Sequence, residues 1–166
     1  MEQLGKLTFF CGKMGAGKST LSKKLAVEHQ AVLISEDEWL AAHYSEQLQS
    51  FDDYRKYSHI IKPFIKEHVQ QILRAGTSVV MDFPANMVRQ RAWFKLLCDE
   101  VGCEHELVYL NVSHEQCLEQ IAKRRIEQPE RAQFDTEEIF MLVTQYFEPP
   151  SEDEELNVSI VSELKD

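Results

Sequence analysis

Several things that would define other protein classes are scarce or missing in this 166-residue sequence. Cysteine is scarce: Cys11, Cys98, Cys103 and Cys117 are the only four, with no C-x-x-C pair. That argues against a disulfide framework or a cysteine zinc site and predicts reduced, mostly buried thiols. The six histidines include no pair at H-x-x-x-H spacing, so a histidine zinc site is not expected. No apolar run approaches the roughly 18 residues that a membrane-spanning helix needs. The first residues, Met1 to Lys6, lack the basic start and apolar stretch of a secretion signal. A cytoplasmic protein without a membrane segment is the expectation. Repeats, low-complexity tracts and linker-like stretches are also missing, which predicts one domain over residues 1–166. Positive charge is in deficit, 18 Lys and Arg against 28 Asp and Glu, for a net charge of −10. Such a surface repels nucleic-acid backbones at long range and makes a nucleic-acid partner an unfavoured expectation.

The charge is uneven. Lys6, Lys13, Lys18, Lys23 and Lys24 crowd the first 30 positions, opposed there only by Glu2 and Glu28. From Thr136 onward nine acids face Lys165 alone. With 43% hydrophobic and 28% charged residues, the chain has the composition of an ordinary globular domain.

Short β-prone runs alternate with helical spacings. Strands are predicted at Leu7–Cys11, Ala31–Ser35, Thr77–Met81, Glu106–Val112 and Asn157–Val161. Helices are predicted at Ser19–Glu28, over a long stretch from Glu38 to about Gln71 with a possible bend at Pro63, and at Val88–Val101 with Trp93, Phe94, Leu96 and Leu97 inward. Two more helices are expected, one after a Ser113–Gln116 capping box and one after an Asp135–Glu138 box. Five strands alternating with helices imply an α/β fold: a five-stranded, mainly parallel sheet with helices on both faces.

One segment carries chemistry. Gly12-Lys13-Met14-Gly15-Ala16-Gly17-Lys18-Ser19, followed by Thr20, fits G-x-x-x-x-G-K-[ST] in full. It also directly follows a strand and opens a helix, the context such a phosphate-binding loop requires. The glycines let the backbone turn tightly and aim N–H groups at phosphate oxygens, aided by the positive end of the following helix. Lys18 is expected to reach the β- and γ-phosphates and the Ser19 hydroxyl to ligate Mg²⁺. G-x-G-x-x-G spacing is missing, so ATP or GTP is favoured over a dinucleotide. No guanine-reading N-K-x-D stretch occurs, a mild indication of ATP.

Ligands of such sheets sit at the carboxyl ends of the strands, and acids stand there. After the second strand come Glu36, Asp37 and Glu38, and Asp82 ends the third. A carboxylate after strand two could take the proton of an attacking hydroxyl. For Glu36 and Glu38 the plainer expectation is a solvated turn, and for Asp37 a helix N-cap. Asp82 is a candidate for the Mg²⁺ shell. Downstream, Lys123, Arg124 and Arg125 end a helix, with Arg131 following. They either complement the helix dipole or form a lid that closes over the nucleotide, with Arg124 placed on the phosphates and Arg125 and Arg131 catalytic. Trp39, His43, Tyr44, Phe51, Asp52, Asp53, Tyr54, Arg55 and Tyr57 suit either a small ligand or a packed helix face.

GKMGAGKST, LISEDEW, VVMDFPANMVRQRAW and the Lys-Arg-Arg stretch, spanning roughly residues 5 to 161, together resemble the small P-loop kinases and, more narrowly, ATP-binding proteins with an AAA-type domain. Their relatives include zeta toxins, chloramphenicol phosphotransferase, gluconate kinase and polynucleotide kinase. The resemblance implies the P-loop NTPase three-layer sandwich, with Asp37 as general base and Asp82, Asn86 and Arg89 at the positions of a strand-three aspartate, asparagine and arginine. Phe83-Pro84-Ala85 departs from the more polar run of several relatives, which implies different substrate contacts. The expected function is Mg²⁺·ATP-dependent transfer to a hydroxyl of a small molecule by a monomer or homodimer. The alternatives are a nucleotide-binding regulator that hydrolyses slowly, and a kinase acting on a nucleotide-sugar or nucleic-acid end.

Overall fold

The computed structural model describes residues 3–162; Met1, Glu2 and Lys165, which entered the charge reading, lie outside them. Strands β1 (Leu7–Gly12), β2 (Val32–Ser35), β3 (Val79–Asp82), β4 (His105–Leu110) and β5 (Val158–Val161) form one sheet in the order β2-β3-β1-β4-β5. Every pairing is parallel. The helices are α1 (Lys18–Glu28), α2 (Glu36–Tyr44), α3 (Phe51–Arg74), α4 (Val88–Val101), α5 (His114–Glu127) and α6 (Glu137–Thr144), with short 3₁₀ turns at Pro129–Arg131 and Glu152–Glu154.

Alternation along the central strand decides which helix covers which face. Leu7, Phe9 and Cys11 point to one side, where they pack with Ile65, Val69 and Leu73 of α3 and Phe94, Leu97 and Cys98 of α4. Phe10 points to the other, where Val80, Val108 and Leu110 join Ala26 of α1, Cys117 and Ile121 of α5 and Phe140 of α6. The result is a helix–sheet–helix sandwich whose middle strand is buried from end to end. All four cysteines are free, three of them buried.

Several local expectations need correcting. The long helical stretch is two helices. Residues 45–50 contain no Gly or Pro, yet the Ser50 hydroxyl accepts from the Asp53 N–H at 3.1 Å and starts α3 anew. Pro63 lies inside α3 without ending it. The N-cap of α2 is Ser35, not Asp37, and its Oγ accepts from the Glu38 N–H at 3.4 Å. Thr136, not Asp135, caps α6, and Leu96 is half exposed rather than inward. Among the described residues, no helix is long and apolar enough to cross a membrane.

Candidate active site

The carboxyl ends of β1, β2 and β3 open into a cleft of about 2780 Å³ that is also walled by α3, the start of α4 and the segment around α5 and α6. The loop between β1 and α1 forms its floor. Gly15 has φ +80°, and a Cβ there would lie 2.6 Å from the Cys117 carbonyl oxygen, so no other residue fits. Gly17, at φ 100°, is the N-cap of α1. No side chain caps that helix and no acid stands in its first turn, so its positive end faces the cleft uncompensated. The loop is braced from outside by Asn86, whose Oδ1 accepts from the Gly12 N–H at 2.9 Å. Gln90 holds Asn86 in turn, its Oε1 accepting from the Asn86 and Met87 N–H groups at 2.9 and 3.1 Å.

Inside the loop the Lys18 ammonium donates to the Gly12 carbonyl and, at 3.1 Å, to that of Lys13. Among the described residues no carboxylate lies within ion-pair distance of it. Burial pulls its pKa down to about 8, against the upward pull of Asp82. The Ser19 Oγ donates to Asp82 Oδ2 at 2.7 Å. Burial raises the Asp82 pKa, and the nearby charges of Asp37 and Glu38 push the same way, while Ser19 and Lys18 oppose them. A buried cation without a carboxylate and a carboxyl crowded by like charges are what a polyphosphate with a divalent cation would complement. Among the described residues no group of three or more His, Cys, Asp or Glu could hold a metal. The Ser19–Asp82 pair therefore fits a cation that brings most of its ligands as water and phosphate, the habit of Mg²⁺.

Across the cleft, Asp37 is about half exposed at the start of α2. Its Oδ1 is 2.6 Å from the Tyr54 hydroxyl, which is also 2.8 Å from Glu36 Oε1. Ser58 Oγ donates to the other Glu36 oxygen at 2.8 Å. Glu36 is thus no solvated turn residue: it is 1% exposed, and burial raises its pKa against the lowering effect of Tyr54 and Ser58. The Tyr54 hydroxyl stands as donor between the two carboxyl groups, and with Ser58 on the other Glu36 oxygen it ties Asp37 to the buried Glu36 in one side-chain network.

The arginines divide. Arg124 makes a two-pronged pair with Asp135 at 2.9 and 2.6 Å, and Arg131 Nε approaches the same carboxylate at 3.3 Å. Arg131 Nη1 also reaches to 4.0 Å from Asp37, so the segment after α5 meets the first turn of α2 across the opening. Arg125 is exposed and is not on the cleft wall. Lys18, Ser19, Asp37, Asp82, Arg124 and Arg131 all line one cleft, as do Met14 to Gly17 and Thr20, while Lys13 lies behind it. Of the mixed stretch after α2's start, Tyr44 packs against Tyr57 with tilted rings 4.4 Å apart and Trp39 stacks on His43, whereas Phe51, Asp52, Tyr54 and Arg55 face the cleft.

The sequence named Tyr54, Asn86 and Asp135 without their roles: Tyr54 as the partner of Asp37, Asn86 as a brace for the loop, and Asp135 as the anchor of two arginines. Tyr54 and Ser58 stand four apart on one helical face, and Asp135 stands four after Arg131; both spacings were readable, but neither names its partner.

Residues 7–150 match the family of AAA domains. No curated protein sequence matches the chain. Among solved structures, a candidate kinase from Chloroflexus aurantiacus superposes with a TM-score of 0.74 at 21% identity, over 98% of this chain and 87% of that one. The APS kinase of Mycobacterium tuberculosis, solved with AMPPNP and APS, gives 0.64 at 14% identity, over 99% and 91%. An unliganded sugar kinase from Janibacter sp. gives 0.62 at 14%, over 95% and 85%. At these identities the likeness is one of fold, and the fold is that of the P-loop kinases.

Proposed function

The chain belongs to the AAA domain family, and from that premise we propose that it is an ATP-dependent phosphotransferase acting on a hydroxyl of a small molecule. The observation that carries the reading is the position of Asp37, a half-exposed carboxylate facing the same cleft as the phosphate loop, oriented by Tyr54 and within 4.0 Å of the Arg131 guanidinium. A sensor that only binds nucleotide has no use for a base so placed.

In this reading Lys18 and the N–H groups of the loop and of α1 bind the β- and γ-phosphates, exchanging the Gly12 and Lys13 carbonyls for phosphate oxygens. Ser19 and Asp82 hold the magnesium shell. The bound Mg²⁺ supplies charge neutralisation on the phosphates. Asp37 accepts the acceptor's hydroxyl proton at Oδ2, since Oδ1 is engaged by Tyr54. Arg124 and Arg131, steadied by Asp135, add positive charge at the mouth and exclude water when the segment closes. The fold tolerates many acceptors, so the chemistry is argued from the site and not from the neighbours.

The test uses γ-labelled ATP, Mg²⁺ and a cytosolic metabolite extract. Wild-type protein is expected to move label into a small molecule. Asp37→Asn is expected to lose about a hundredfold or more of that transfer, with Mg·ADP affinity within about twofold. Unchanged transfer by Asp37→Asn refutes the base; label only in free phosphate refutes the transferase.

A further inference from the structure

The cleft is more basic than the molecule around it. Eleven Lys and Arg residues line it against seven Asp and Glu, in a chain where acids outnumber bases 28 to 18. The loop and the Asp135-anchored arginines account for the nucleotide end, and Lys66 is paired with Glu100 at 3.1 Å. A second group stands apart, at the acceptor end. Arg55, His59 and Lys62 lie on α3 at i, i+4 and i+7, and Arg89 lies in the first turn of α4 opposite.

Helical geometry places this stripe beside the one that orients the base. Tyr54, Ser58 and Ile65 form the inner stripe, which touches Glu36 or enters the core. Arg55, His59 and Lys62 lie roughly a quarter-turn around the helix from it. The Lys62 ammonium is near enough to Glu36 to favour that carboxyl's ionised form, and it sits 5.8 Å from the centre of the Trp93 ring. Among the described residues, no carboxylate lies within 4.0 Å of Arg55, Lys62 or Arg89. Three cations on one cleft wall with no ion-pair partner among the described residues raise the positive potential there, and a guanidinium from each helix suits the oxygens of an oxyanion.

We propose that the phosphoryl acceptor carries an oxyanion of its own, a phosphate, sulfate or carboxylate group, held by Arg55 and Lys62 of α3 and Arg89 of α4 while its hydroxyl faces Asp37. The choice of acceptor class rests on the phosphotransferase reading; the anion site itself does not.

Two experiments on the full chain separate the two claims. In the first, Mg·AMPPNP saturates the loop, and inorganic phosphate, sulfate and acetate are titrated in separate runs at constant ionic strength while tryptophan fluorescence is followed, since Trp93 lies beneath Lys62. A saturable change with at least one anion is expected, and the anion that gives the tightest curve tells phosphate, sulfate and carboxylate apart. Arg55→Ala and Arg89→Ala, both at exposed positions, are each expected to weaken it about tenfold. Lys23→Ala, another cleft cation outside the stripe, is expected to follow wild type. No saturation with any anion, or identical curves for all variants, overturns the site. In the second, the metabolite extract is split on an anion exchanger before the labelled-ATP assay. Label arising from the retained fraction supports the proposal; label arising from the neutral flow-through overturns it and leaves the transferase intact. Anion binding without transfer from either fraction overturns the transferase and leaves the anion site standing.

Discussion

Raising the pH through 8 is expected to weaken nucleotide binding, because the free protein then loses the charge on Lys18. The ammonium is buried between two carbonyls with no carboxylate partner among the described residues, and burial brings its pKa to about 8. Asp82, Cys11 and Cys117 oppose that shift and Arg124 adds to it. The direction follows from linkage: affinity is full below pH 8, where the ammonium is already present, and falls as pH rises through that value. Roughly nine-tenths of the lysine is charged at about pH 7 and roughly one-tenth at about pH 9. Affinity is therefore expected to drop about tenfold between those values, and proton uptake on binding to rise from about 0.1 to about 0.9 per nucleotide. Mg·ADP is the ligand to use, since its phosphates are fully ionised throughout the range. Calorimetry in two buffers of different ionisation heat measures both quantities at once. Lys18→Arg, charged at every pH used, is expected to bind with a flat profile above pH 8. Equal affinities at about pH 7 and 9 together with buffer-independent heats would refute the argument that burial without a counter-charge governs this lysine.

Three further outcomes follow from packing and hydrogen bonding. Gly15→Ala forces a Cβ to 2.6 Å from the Cys117 carbonyl and 2.8 Å from Ile121 Cγ1 at φ +80°, so urea unfolding should show a loss of about 1–3 kcal/mol or more; Gly102→Ala, at the same φ but in open space, should cost only about 1 kcal/mol. Glu154→Ala leaves the fully buried Arg91 guanidinium without the partner it meets at 2.7 and 3.1 Å, a change expected to cost about 3–5 kcal/mol by the same measurement. Tyr54→Phe removes the hydroxyl between Glu36 and Asp37. Transfer should fall about tenfold while Mg·ADP affinity holds; unchanged turnover would mean Asp37 needs no orientation.

What the sequence made legible was whatever is local. The phosphate loop, the boundaries Val88–Val101 of α4 and the Ser113 cap of α5 could be read from neighbours a few positions apart, and the structure has them there. The break between α2 and α3 was missed because the new helix is started by a single hydroxyl cap in a stretch with no glycine or proline. The S-x-x-D spacing at Ser50 carries that signal, weaker than the glycine-rich punctuation elsewhere. The misreadings of Glu36 as a solvated turn and of Asp135 as a helix cap have another cause. Only tertiary partners, Tyr54 and Ser58 for one, Arg124 and Arg131 for the other, make these acids worth burying. Those partners come from other elements, so no local pattern announces them.

The strand order has a consequence for how the molecule assembles. β1 precedes the other four strands in the chain but lies in the middle of the sheet, and among the described residues no hairpin offers a start. The backbone of Lys6 meets the hydroxyl of Ser78, 72 residues away, and its ammonium meets Glu106, 100 residues away. Closing such distances is entropically slow, so β1 must wait for the strands that follow it. The phosphate loop is shaped by that wait, since Gly12 is held by Asn86 and Gly15 abuts Cys117. Nucleotide binding is therefore a late and all-or-none signal during refolding. A fluorescent nucleotide added to the refolding chain would report the completed sheet and nothing that precedes it.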